Sequence, residues 1–476
     1  MGAVVTCKSA FTKDRDTIII QKLFEILGLA AILGLLPASA MAQAPVGAET
    51  GFVLNTFAFL FWGALVMWMC AGFTMLEAGS VRTKNASVIC MKNIGLYSIA
   101  GLAYYVIGYN IMYVDVDGGF FGSLSLFRGN SASEVALLNA APDAIDQARE
   151  TLLADSSGHA TMSDWFFQMV FVATTASIIS GTLAERVRLW SFFLFVAILT
   201  AIIYPIVGAW TWGGGWLAEM GFQDFAGSTV VHATGGWAAL SGAMLIGARR
   251  GRFHKDGTVR QMPPSSVPIV TLGVFILWLG WFGFNGGSQL ALNSATDAVA
   301  LSNRIANTNI AAAAGVVAAL ALSKPILGRM DLMATLNGAI AGLVAITAGP
   351  DLVDHQWAIL IGGVGAGIAV AGLRLLETVH VDDGVGAIPA HLFAGIWGTL
   401  AVCIAAGGSL FVQLTGIVAT GIFVFGVSTA IWMLIDRFIG LRVSPSAEQL
   451  GQDVVELGIE AYPEFVAVPE ADDDDD

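Results

Sequence analysis

Apolar residues come along this chain in long runs separated by short polar connections, and eleven of the runs are long enough to cross a bilayer core of ~30 Å. They lie at 54–76, 87–112, 164–184, 190–211, 227–248, 267–286, 304–323, 332–349, 356–376, 386–407 and 411–436. Runs of this length predict helices, because inside a bilayer every backbone polar group must be satisfied within its own segment or in a closed barrel. Barrel strands would be short and would alternate apolar with polar residues. The pattern therefore predicts an all-α polytopic membrane protein with eleven transmembrane helices.

The basic residues test the count, since a wrong span would scramble their alternation between successive loops. Alternate connections hold Arg82, Lys84 and Lys92; Arg186 and Arg188; Arg249, Arg250, Arg252, Lys255 and Arg260; Lys324 and Arg329; Arg374; and Arg437 with Arg442. The intervening ones hold only Arg128, Arg149 and Arg304. The alternation predicts an outside N-terminus and an inside C-terminus. The one long external connection, 113–163, is rich in Asp, Ser and Asn and reads as a polar loop without a chemical role.

Residues 1–42 read as a cleaved signal peptide. Lys8, Lys13, Arg15 and Lys22 precede an apolar stretch at 26–36, too short to span, and Ala40-Met41-Ala42 offers a small-residue cleavage pattern. The alternative is an uncleaved signal anchor. The spans then occupy 43–436, and 437–476 forms a cytoplasmic acidic tail.

Composition agrees with the pattern. Only 12% of the 476 residues are charged, about half the soluble-protein norm, beside 56 Gly and 13 Trp, and the mean hydropathy is +0.74. A net charge of -14 argues against a nucleic-acid binder. Much of that acidity belongs to the tail, where 443–476 holds eleven acidic and no basic residues. The four cysteines form no disulfide framework and no paired metal spacing.

Against this background two histidines stand out. His232 and His391 lie inside apolar runs, where an ionisable group is costly and by default functional. Asp224 precedes His232 by eight residues, Asp383 precedes His391 by eight, and a glycine follows each histidine four residues later. The two segments are the fifth and tenth spans, so they cross in opposite directions. That predicts a 5+5 inverted repeat plus one extra helix, with a pathway at the repeat interface. The histidines could instead cross-link helices. As a neutral pair they offer a polar rail for a small solute or a proton relay. Gly- and Ala-rich stretches at 338–349 and 361–372 favour tight helix contacts and a narrow conduit. Phe171, Trp212, Phe284 and Ser288 are available for its mouth, where aromatic faces and a hydroxyl suit a small cation.

At these residues the chain resembles the ammonium transporter (Amt/Mep/Rh) family, in its bacterial Amt form. The resemblance runs from about Asn55 to Tyr462 and rests on AGFTMLEAGSVRTKNA (71–86), GTLAER (181–186), DFAGSTVVH (224–232), GWFGFNGGS (280–288), NGAIAGLV (337–344), VDDGVGAIPAH (381–391) and GLRVS (440–444). It implies a homotrimer with one pore per subunit, in the bacterial inner membrane. By motif, Trp212, Phe171 and Ser288 would recruit ammonium or methylammonium outside, and Phe171 with Phe284 would form the gate. His232 and His391 would be the pore pair and Trp281 a pore wall. Asp224 would either cap a helix N-terminus or contribute to cation binding. No cofactor, metal or enzymatic activity is implied.

The chain departs from the family pattern at Ser228 and Leu392, where glycine is usual. It has Leu457-Gly458-Ile459 where the tail commonly carries His-Gly-Glu, which bears on docking of a PII-type signalling protein at the cytoplasmic face. The expected function is ammonium uptake with ammonia as the species that crosses. The rivals are a sensor of the same fold signalling through a separate partner, a passive channel for another neutral gas, and an intramembrane enzyme. The last lacks HExxH, GxSxG and clustered Cys/His.

Overall fold

The computed structural model describes residues 47–465. The expected leader, its cleavage point and the terminal run 472–476 lie outside the described residues. Among the described residues the chain is helical apart from two isolated β-bridges, Val187 with Arg442 and Phe253 with Val259.

Among the described residues ten helices are long and apolar enough to cross a membrane: Ala48–Ser80, Thr83–Tyr113, Thr161–Thr182, Leu189–Glu219, Ser228–Ile246, Val267–Gly286, Ala295–Leu327, His355–Thr378, Ile388–Ala406 and Leu410–Phe438. An eleventh apolar helix, Leu332–Ile346, falls between the seventh and eighth of these. Each matches one of the eleven runs, in order, and they are called spans one to eleven below.

The differences are at boundaries and have local causes. The eighth span ends at Ile346 rather than 349 and has 15 residues, about 22 Å of helix. That is short for a bilayer, and it is tolerated because nearly the whole helix is buried among neighbours. The seventh begins at Ala295 rather than 304, started by Ser294, whose hydroxyl accepts the Asp297 N–H at 3.1 Å. Its first turns are polar enough to escape an apolar count. The long connection is partly structured: Ala132–Leu138 opens with a capping box between Ser131 and Glu134, and Ile145–Asp155 follows.

Burial places the centre. The core of the third span is 89% buried and that of the fifth 78%, against 28% for the seventh. The third and fifth spans therefore form the middle of the bundle, where a conduit would run. Both histidine-bearing spans open with a widened π turn, Ser228–Ala233 and Ile388–Phe393, a feature frequent at functional sites. Each turn is preceded by a glycine at positive φ, Gly227 at 110° and Gly386 at 78°, a conformation that side chains with a Cβ resist.

After the last span the chain does not leave the protein at once. Ser444 caps Pro445–Leu450 through the Ala447 N–H at 3.1 Å, and a further turn, Asp453–Leu457, packs beside the start of the second span. There the Asp453 carboxylate accepts the Ser87 and Val88 N–H groups at 2.8 and 2.7 Å, an anion at a helix N-terminus.

Candidate functional site

The candidate residues form one continuous line through the buried centre. Trp212 sits in the turn after Tyr204–Thr211, its indole N–H donating to the Asp224 carbonyl at 2.8 Å, which fixes the ring. Edge-on to it, 6.1 Å between centroids, lies Phe171 of the third span. Phe171 stacks on Phe284 of the sixth at 4.0 Å and 29°. Both phenyl rings are fully buried. Ser288 lies one turn from Phe284, and its hydroxyl donates to the Phe284 carbonyl at 2.8 Å. Its oxygen lone pairs thus remain for an incoming N–H.

Beyond the phenyl pair comes His232, 5.3 Å from Phe284 and stacked on Trp281 at 4.9 Å and 20°. Trp281 is held in turn by its indole N–H on the Thr347 hydroxyl at 2.8 Å. His391 follows, with its Nδ1 3.2 Å from Nδ1 of His232. One of these nitrogens must donate and the other accept. In a neutral pair, one Nε2 is then an acceptor and the other a donor. Nε2 of His232 is buried without a protein partner, so the line offers a small solute a polar contact. Phe73 continues it at 6.4 Å from His391.

The aspartates hold the π turns. Asp224 accepts N–H groups from Gly227, Ser228, Thr229 and Val230 at 3.2, 2.7, 2.8 and 2.8 Å. Burial pushes its carboxyl up to about 6 and the four amides pull it down, so it is ionised at neutral pH with both oxygens engaged by the helix start. Asp383 does the same with Val385, Gly386 and Ile388 at 3.3, 3.1 and 2.7 Å, and also accepts the Thr182 hydroxyl at 3.1 Å.

The two departures from the family pattern face each other's motifs. A Cβ on Gly236 would come within 2.6 Å of Leu392 Cβ, and one on Gly395 within 2.4 Å of the Ser228 carbonyl oxygen. The glycine four residues after each histidine thus makes room for the residue that departs in the other half. The Ser228 hydroxyl is satisfied by the Val344 carbonyl at 2.7 Å.

Sequence reasoning missed a buried charge cluster at the arginine-rich end. Asp382 accepts the backbone N–H, Nε and a terminal nitrogen of Arg249 at 2.9, 2.8 and 2.8 Å. Burial alone would raise its pKa, but the Arg249 bonds hold it well below the usual aspartate value. Arg249 also reaches Glu185 at 2.6 Å, and Glu185 accepts from Arg82 and Asn85. Arg186 is wholly buried and donates to four backbone carbonyls, those of Thr182, Ala184, Gly247 and Asp382. Arg249, Arg186 and Arg82 served above only as markers of sidedness. The pairing of the acids with them across 64 to 196 positions leaves no local signal.

Comparison with known proteins gives the same answer throughout. Residues 57–462 match the Ammonium Transporter Family. The chain is 38% identical over 435 residues to ammonium transporter Amt2 of Archaeoglobus fulgidus, covering 85% of this chain and 87% of that one. It is also 38% identical over 433 residues to a putative ammonium transporter of Synechocystis sp., covering 88% and 92%. Among solved structures it is similar to a sensor Amt protein, with a TM-score of 0.76, 34% identity and coverage of 86% and 99%. It is also similar to Mep2 of Candida albicans, with a TM-score of 0.71, 27% identity and coverage of 88% and 93%. With a family match over most of its length and the multi-pass helical fold described above, this chain belongs to the ammonium transporter family.

Proposed function

We propose that the protein carries ammonium nitrogen inward by binding the cation outside and passing ammonia through the buried line of residues. The observation that carries this reading is the closed phenyl pair set directly above two imidazoles. A charged residue at a bilayer centre costs about 3 kcal/mol even on forgiving scales, whereas neutral ammonia avoids most of that cost. The Trp212 ring and the Ser288 oxygen hold the cation by cation–π and hydrogen-bond contacts. At the Phe171–Phe284 gate an N–H bond of the cation breaks and the proton passes to water on the outer side, and ammonia then trades hydrogen bonds with His232 and His391. Trp281 forms the wall at this point. Asp224 acts by holding the π turn that aims His232, since its oxygens are already engaged.

In this reading the mature N-terminus is periplasmic, the arginine-rich end faces the cytoplasm of a bacterium, and three subunits assemble with one conduit each. The ordered tail, fixed by Asp453 and Glu448, is the surface available to a PII-type partner. The test is an ammonium pulse on proteoliposomes. Wild-type protein should give uptake that Trp212→Ala with His391→Ala abolishes. Uptake unchanged in the double variant would refute the pathway.

A further inference from the structure

Below His391 the line opens into a small cavity lined by Phe73, Glu77, Ser177, Asn337 and Val385 among others. It has room for about one water-sized molecule. That is also the size of one ammonia. Glu77 is 1% exposed, on the last turns of the first span, and no step described so far uses it.

Its two oxygens are treated differently. Oε2 accepts the Ser180 hydroxyl at 2.6 Å and lies 4.0 Å from the Lys92 ammonium, which itself donates to the Ser180 carbonyl at 2.6 Å. Oε1 is buried and has no hydrogen-bond partner in the protein. The Asn93 side chain, 2% exposed, lies against the same carboxyl. Its amide nitrogen donates one N–H to the Ile89 carbonyl at 3.1 Å, and its Oδ1 is unpartnered. A buried carboxylate oxygen without a donor is costly. A proton on Oε1 removes that cost by neutralising the carboxyl.

We infer that Glu77 is the proton-exchange residue at the inner end of the conduit: it holds a proton on Oε1 and gives it to ammonia that has passed His391. The inference rests on the conduit reading above. In the step, the O–H bond of the Glu77 carboxyl breaks and a fourth N–H bond forms on ammonia, leaving a carboxylate and ammonium. Lys92 steadies the new carboxylate, and the ammonium leaves into the cytoplasmic water. A buffer acid in that water then returns a proton to Glu77. The other charged groups around the pair are Arg186 and Glu456, which face Lys92.

The test uses full-length protein in proteoliposomes, comparing wild type with Glu77→Gln and Glu77→Asp. Glu77→Gln keeps the shape and the Ser180 contact but cannot give up a proton. Its ammonia flux should fall about a hundredfold, the low end for a positioned proton donor, while Glu77→Asp should retain part of the flux. Infrared difference spectra provide the readout that a structural role would not move. An ammonium pulse should bleach a protonated-carboxyl C=O band in wild type, shift that band in Glu77→Asp, and show none in Glu77→Gln. If Glu77→Gln does not fold, the band shift in Glu77→Asp still decides. Wild-type flux matched by Glu77→Gln, or no carboxyl band that responds to ammonium, overturns the assignment to Glu77 alone. Absence of ammonia flux in wild type overturns the conduit reading and this one with it.

Discussion

The two halves of the molecule carry the same motif in different surroundings. In both, an aspartate eight residues before a histidine caps a π turn through several backbone amides, a glycine at positive φ starts that turn, and a glycine four residues after the histidine admits the other half. Around His232 the neighbours are aromatic, with Trp281 and Phe284 against the ring and Trp212 fixed on the Asp224 carbonyl. Around His391 the neighbours grow polar and then charged, from Glu77 in the cavity to Asp382 and Arg249 immediately before the motif. The repeat supplies the histidine geometry twice. What differs is the surroundings each histidine is given, aromatic rings on one side and buried charge on the other.

The largest effect should come from breaking the charged half. Asp382→Ala leaves Arg249 buried with one acidic partner and removes three hydrogen bonds. Breaking a buried pair in this way costs about 3–5 kcal/mol, read as a lower thermal midpoint of the purified protein. The sign of the pH effect follows from the lowered pKa of Asp382. Its stabilisation is complete above the ordinary aspartate value of 3.8 and is lost as the pH falls below it. Wild type should therefore lose stability in acid more steeply than Asp382→Ala. Equal steepness would mean the cluster adds nothing to the stability of the charged half.

A middle-sized effect should come from the seam between the halves. Gly395→Ala would place a Cβ 2.4 Å from the backbone oxygen of Ser228, which cannot rotate away, whereas Gly236→Ala meets the Leu392 side chain and its backbone. Overpacking of this kind costs about 1–3 kcal/mol. Both variants should unfold earlier than wild type and conduct less, because the seam sets the 3.2 Å spacing of the imidazoles. Leu392→Gly combined with Gly236→Ala should recover stability if the departure at 392 and the glycine at 236 are one packing unit.

How much of this was legible in the sequence depends on the range over which each signal acts. The eleven helices, the histidine pair and the repeat could be read because apolar runs and an eight-residue spacing are local. The polar start of the seventh span at Ala295 was lost because Ser294 and Asp297 define it by a cap rather than by hydropathy. Glu77 was placed just past the end of the first run, although the helix continues to Ser80 and carries it into the cavity. Arg186 and Arg249 were legible as part of an alternation of charge between connections, yet nothing nearby indicates that they are buried on Asp382 and on backbone carbonyls far along the chain.

The smallest effect, and the sharpest for the comparison, is Trp281→Phe in the aromatic half. The substitution keeps a ring against His232 and deletes the indole N–H that donates to Thr347. Thr347 still donates its own hydroxyl to the Leu343 carbonyl at 2.7 Å, so no buried donor is stranded. The stability loss should then be ~1 kcal/mol, that of one hydrogen bond. If the wall's role is to hold the imidazole flat and dry, ammonia flux should drop only a few-fold, in line with a loss of ~1 kcal/mol. Discrimination against water and other small solutes should weaken together with it. A variant that keeps full selectivity would show that Phe284 alone sets the His232 ring, and that the aromatic character of this half is packing rather than function.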